Sequence, residues 1–219
     1  MFERVFLAPN NGAVGGGEVM LLRISQALRE LGVDVTIVAP QPSIVLTAAQ
    51  EAGVSTIGLP AVDRPSWMRA LRRWDKHRPN GLLWCNGLVP SFATAGRARR
   101  LVHLHQRPVG VRRLMAKIAL WRAAIGVVPS LDMLRVSGHA RVLPNWTEQF
   151  RQVLPRAEVD APFRVGFLGR LGLDKGVHVL ADAMRMLDDQ HPGAYRLVLG
   201  GEPRFVSDHG VAQLEHALA

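Results

Sequence analysis

Cysteine is almost absent: Cys85 stands alone in 219 residues, which excludes an internal disulfide and suits a reducing compartment such as the cytosol. Inside the apolar run Leu82-Leu83-Trp84-Cys85 it reads as a small buried hydrophobe. No stretch approaches the roughly 20 uninterrupted apolar residues of a membrane span. The opening Met-Phe-Glu-Arg-Val-Phe-Leu reads as a first strand with no likeness to a signal peptide, so a cytoplasmic location is expected. Internal short-period repeats and low-complexity segments are also missing, which sets aside solenoid and disordered classes. Acidic residues are scarce in one region. Between Arg64 and Arg122 fourteen Lys or Arg face a single acid, Asp75, leaving 13 bases against 17 acids in the rest of a chain of net charge +9. Such asymmetry points to an anionic partner, with an arginine-rich solvated surface as the plainer reading.

What is present is a soluble globular composition, 48% hydrophobic and 21% charged, arranged as short apolar runs alternating with helical periods. Val5–Ala8 reads as strand, followed by a glycine-rich turn and a helix from about Glu18 with Leu21, Ile24, Leu28 and Leu31 on one face. Gly32 sits where a left-handed cap closes that helix. Strands are expected at Val33–Ala39, Val54–Ile57, Leu82–Cys85, Leu101–His105, Ala124–Val128 and Arg141–Leu143. Helices are expected at Ile44–Glu51, Ser66–His77, Ser91–Arg100 and Val111–Arg122, with Ser130 a cap for one more. A polar, proline-containing stretch, 148–162, reads as a linker between a first domain, 1–147, and a second segment, 163–219. The second segment restarts the alternation with strand Phe163–Leu168, helix Val177–Leu187, strand Tyr195–Leu199 and helix Ser207–Leu218. Two strands and two helices are too few for an independent core, so this segment is expected to be the first part of a domain. The fold class is α/β: a Rossmann-like parallel-sheet domain followed by an incomplete second one.

Three segments carry chemistry. Asn11-Gly12-Ala13-Val14-Gly15-Gly16-Gly17-Glu18 joins a strand to a helix N-terminus, a natural seat for phosphate or diphosphate, although a glycine turn without a ligand is equally common. It lacks the G-x-G-x-x-G spacing of nicotinamide enzymes. Leu101-Val102-His103-Leu104-His105-Gln106-Arg107-Pro108 puts two histidines on one side of a strand, with His105 nearest the carboxyl end, where ligands of open α/β sheets bind. A structural histidine and a zinc ligand are the alternatives, and no further His, Cys or carboxylate cluster completes a metal site. Gly166-Phe167-Leu168-Gly169-Arg170-Leu171-Gly172-Leu173-Asp174-Lys175-Gly176 brings Arg170 and Lys175 to a strand end beside a helix start, a site for a highly charged anion.

Taken in this order, these segments resemble the retaining glycosyltransferases of family 4, with two facing Rossmann-like domains, the GT-B fold. Val127-Val128-Pro129-Ser130, Leu143-Pro144-Asn145 and Leu197-Val198-Leu199-Gly200-Gly201-Glu202-Pro203 add to the likeness, which runs through the whole chain. The resemblance implies transfer of a hexose from a nucleoside diphosphate sugar to an acceptor, lipid-linked or a polysaccharide precursor. It implies that Arg170 and Lys175 hold the diphosphate with help from the backbone at Gly16 and Gly17. His105 would lie near the transferred sugar, with no metal or other cofactor bound. The chain departs from the family at Gln106, where an acid is common, and at Gly200-Gly201-Glu202-Pro203 in place of Gly-x-Gly-Pro. It also ends before the paired glutamates that grip the donor. The other reading is a truncated or split non-catalytic module that works with a partner chain. The basic region carries no recognised nucleic-acid-binding motif. With Trp67, Trp74, Leu114, Ile118 and Trp121 in its two helices, an anionic membrane surface is the expected partner.

Overall fold

The computed structural model describes residues 3–137, 140–147, 162–203 and 208–218. The chain divides into two compact units, Met1–Glu148 and Gln149–Ala219. The first alternates β1 (Arg4–Pro9), α1 (Gly16–Glu30), β2 (Asp34–Gln41), α2 (Ile44–Glu51), β3 (Ser55–Pro60), α3 (Arg64–Lys76), β4 (Leu82–Asn86) and α4 (Leu88–Ala93). It continues with β5 (Arg100–His103), α5 (Val111–Leu120), β6 (Ile125–Val128), α6 (Leu131–Ser137) and β7 (Ala140–Val142). The second unit holds β8 (Phe163–Leu168), a 3₁₀ turn (Leu173–Lys175), α7 (Val177–Gln190), β9 (Tyr195–Gly200) and α8 (Asp208–Leu218). Most of the expected linker, 148–161, lies outside the described residues, as does Ser207.

Each strand of the first unit from β1 to β6 is followed by a helix, so neighbouring strands run parallel. The seven strands lie in the order β3-β2-β1-β4-β5-β6-β7, all parallel. The order reverses between β1 and β4, which opens a crevice at their carboxyl ends. Alternation along β1 splits the core into two layers. Val5 and Leu7 pack with Leu21, Ile24, Val45 and Ala49 of α1 and α2. Phe6 and Ala8 pack on the other face with Trp67 and Leu71 of α3, Cys85, and Val89 and Ala93 of α4. Cys85 is buried, its Sγ 3.4 Å from Thr94 Oγ1, and burial pushes its thiol pKa up. In the second unit β8 and β9 pair in parallel. Among the described residues no helix is long and apolar enough to cross a membrane.

The largest departure from the sequence reading is at 91–100. The helix there is Leu88–Ala93, and Arg100 opens β5. The Arg100 side chain is fully buried and donates to carbonyls that end two helices: Ser91 O at 3.1 Å on α4, and Ala119 O at 3.1 Å and Trp121 O at 2.8 Å at the end of α5. A cation satisfied by the negative ends of two helices has no periodic signature in sequence. Arg72 donates in the same way to Ala93 O and Ala95 O. Arg78 binds Asp75 Oδ1 at 2.8 Å and the Gly81 carbonyl. Three of the clustered arginines therefore bind backbone rather than offer themselves to a partner. Trp67 is buried and Trp74 packs edge-on to Phe6 at 5.2 Å, so α3 turns its tryptophans to the core, against the expectation of an interfacial helix there. Leu31 is not on the buried face of α1 but caps its end in solvent.

Candidate functional site

The glycine-rich turn after β1 leads into α1, which starts at Gly16 rather than near Glu18. Glu18 is the cause. At the third helical position its carboxylate reaches back to accept from the Gly15 N–H at 3.2 Å, filling part of the helix's unpaired N-terminus. Glu18 is buried, and that burial raises its carboxyl pKa against the pull of backbone hydrogen bonds at Glu18, Gly15 and Asn10. Gly16 and Gly17 form the first turn, whose N–H groups lie ahead of the helical ladder.

His105 follows β5 by two residues and lies over this turn. A Cβ on Gly17 would meet His105 Cδ2 at 3.6 Å, an ordinary van der Waals contact, so the imidazole lies directly against the helix start. His105 Nε2 sits 2.7 Å from Asn86 Oδ1, and Asn86 Nδ2 donates to Gly17 O at 2.8 Å. A backbone carbonyl only accepts, so the amide must turn its NH₂ to Gly17 and its oxygen to His105. His105 therefore carries its proton on Nε2, leaving Nδ1 an acceptor with no partner among the described residues. Burial lowers its pKa to about 4, so the ring is neutral near pH 7. His103 lies tilted against it, with ring centroids 4.0 Å apart. Burial first, then the neighbouring His105, take its pKa to about 3. Among the described residues no three His, Cys, Asp or Glu side chains gather as a metal site. The three strands that frame the cluster, β1, β4 and β5, flank the point where the strand order reverses.

Asn86 escaped the sequence reading. Its signal was a single polar residue closing the apolar run Leu82–Cys85, and only pairing of β4 with β5, Asn86 opposite His103, gives that residue a site.

In the second unit β8 delivers Arg170 to its carboxyl end, and Lys175 closes the 3₁₀ turn just ahead of α7. The Arg170 guanidinium pairs with Asp174 at 2.5 Å, while Lys175 is exposed. The loops after β8 and β9 touch: Leu171 N–H donates to Glu202 O at 3.1 Å. A Cβ on Gly201 (φ 146°) would fall 1.9 Å from Gly169 O, which glycine alone avoids. Thus the first unit brings Gly16, Gly17 and His105 together, and the second brings Arg170 and Lys175 onto one loop.

No family model and no curated protein matches the chain. Solved structures do. Anabaena Alr3699/HepE in complex with UDP-glucose aligns with a TM-score of 0.75 at 17% identity, over 98% of this chain and 65% of that one. The lipopolysaccharide outer core galactosyltransferase WaaB aligns with a TM-score of 0.62 at 12% identity, over 98% and 63%. Acinetobacter baumannii MurG gives 0.54 at 15% identity, over 96% and 68%. The fold is that of the GT-B glycosyltransferases. The chain spans about 65% of the length of the HepE structures it matches. Against the GT-B pattern, its seven-stranded sheet and the β8–β9 pair are both of the parallel, Rossmann-like kind.

Proposed function

We propose that the chain belongs to a glycosyltransferase that moves a hexose from a nucleoside diphosphate sugar to an acceptor, in the manner of the retaining family 4 enzymes. The observation that carries this reading is the likeness of the chain, along almost its whole length, to glycosyltransferase structures, one of them holding UDP-glucose. The local chemistry agrees. Arg170 and Lys175, ahead of the N-terminus of the 14-residue α7, supply positive charge for a departing diphosphate. Gly16 and Gly17 offer N–H groups at the start of α1, and the neutral His105 lies against that turn. In this reading protein cations neutralise the leaving group, so no metal or other cofactor is invoked.

Charge-assisted hydrogen bonds are each worth roughly 1.5–3 kcal/mol, so Arg170→Ala with Lys175→Ala is expected to weaken UDP or UDP-glucose binding by about ten-fold or more. Titration calorimetry with unchanged affinity in the double variant would remove the assignment. A second reading is a module that acts with a partner chain supplying the rest of the donor site. Sugar transfer by the 219-residue chain alone, read as product formed from UDP-glucose, separates the two.

A further inference from the structure

Helix α5 and the residue after it hold four large apolar side chains in solvent: Val111 is 74% exposed, Leu114 59%, Ile118 39% and Trp121 63%. Their spacing of three, four and three residues puts them on one face. The opposite face, with Ala116 and Ala119, is buried, Ala116 against Val102, Leu104 and Val128. Exposed cations accompany the stripe: Arg113 and Lys117 along its edge, Arg112 in the first turn and Arg122 just beyond the helix. No acid occurs from Gln106 to Leu131. A contiguous apolar face of this kind marks an interaction surface, and its charge border selects an anionic one. Nucleic acid would use the cations but leave the aliphatic stripe in water. An anionic bilayer uses both, and tryptophan favours its interface.

We propose that α5 lies in the plane of an anionic membrane surface, with Leu114, Ile118 and Trp121 entering the boundary between headgroups and acyl chains and the cations meeting lipid phosphates. The proposal does not depend on the sugar-transfer reading. It narrows the basic region to one helix, because α3 sends Trp67 and Leu71 into the core and its neighbours Arg72 and Arg78 to backbone carbonyls.

The test is flotation of the 219-residue chain with vesicles of phosphatidylcholine alone and of phosphatidylcholine mixed with phosphatidylglycerol, at low and high salt. Binding to the mixed vesicles, weakened by salt, is expected. A cation near such a surface contributes about five-fold in partitioning, so Arg112→Gln, Arg113→Gln and Lys117→Gln together are expected to lower it about a hundred-fold. Leu114→Ser with Ile118→Ser should lower binding to the mixed vesicles at both salts. Removing the same charge from α3, with Arg64→Gln, Arg69→Gln and Arg73→Gln, should leave partitioning near wild type. All substituted side chains but Ile118 are well exposed, and circular dichroism checks that each variant is folded. Equal loss in the α3 and α5 charge variants, unchanged binding of the Leu114/Ile118 variant, or equal retention on neutral and mixed vesicles overturns the proposal. So does absence of vesicle binding together with an oligomer that the Leu114/Ile118 variant dissolves, which would make the face a contact between copies of this chain.

Discussion

At the scale of single residues the His103–His105 pair couples the fold to pH. His103 is buried and His105 half-buried, and both rings are neutral, with pKa values lowered from 6.5 to about 3 and about 4, whereas in the unfolded chain they titrate normally. Unfolding therefore takes up protons below about pH 6.5. The stability these rings contribute is complete above that pH and is lost as pH falls towards 4 and then 3, at roughly 1.4 kcal/mol per pH unit for each ring. Glu18, with its raised carboxyl pKa, works in the opposite sense and offsets part of the loss. Urea titrations between pH 7 and pH 4 should show this slope, and His103→Leu should remove about half of it. Asn86 is open to a separate measurement. In Asn86→Asp a carboxylate replaces the amide oxygen 2.7 Å from Nε2 and favours the imidazolium. The His105 ring is then expected to titrate at least one unit higher by NMR, and an unchanged pKa would mean that the two side chains do not meet.

At the scale of elements, Arg100 joins the ends of α4 and α5 across β5. Replacing it with Met keeps the apolar bulk but leaves buried carbonyls at both helix ends without their donor. A cost of about 2–4 kcal/mol is expected, read as a lower denaturation midpoint for the first unit. Arg112→Gln, on the exposed face of α5, should fall within about 0.5 kcal/mol of wild type. If both variants behaved alike, the buried guanidinium would have no structural role. The helix expected at 91–100 failed for the same reason. Arg100 resembles a solvated cation in a helix's last turn, and only the packing of α5 behind β5 makes it an interior residue.

At the scale of the molecule the two units differ in how much they bury. The first has two apolar layers about a seven-stranded sheet. Among the described residues of the second, Val177, Ala181 and Leu214 are the buried hydrophobics, while Phe163, Leu168 and Val198 stand in solvent. Little buried apolar area means low local stability. Amide exchange is expected to be slow in Val5–Leu7, Thr36–Val38 and Leu101–Leu104 and fast in Val165–Leu168 and Arg196–Leu199. Equal protection in a monomer would show that the β8–β9 unit is self-sufficient.

The sequence by itself determined the α/β class, the strand–helix alternation and most element positions, because apolar period and glycine or proline breaks act locally along the chain. Ile44–Glu51 and Phe163–Leu168 fall where periodicity puts them. The candidate residues Gly16, Gly17, His105, Arg170 and Lys175 were legible in the sequence only as residue types expected near strand ends. Only the tertiary structure decided which partners those residues have. Asn86 is 19 residues from His105 and 69 from Gly17, and parallel pairing of β1, β4 and β5 brings the three together. The fate of the basic stretch was settled the same way. Burial is a property of packed elements, so the sequence could count its cations but could not tell Arg100, enclosed between two helix ends, from Arg112 in water.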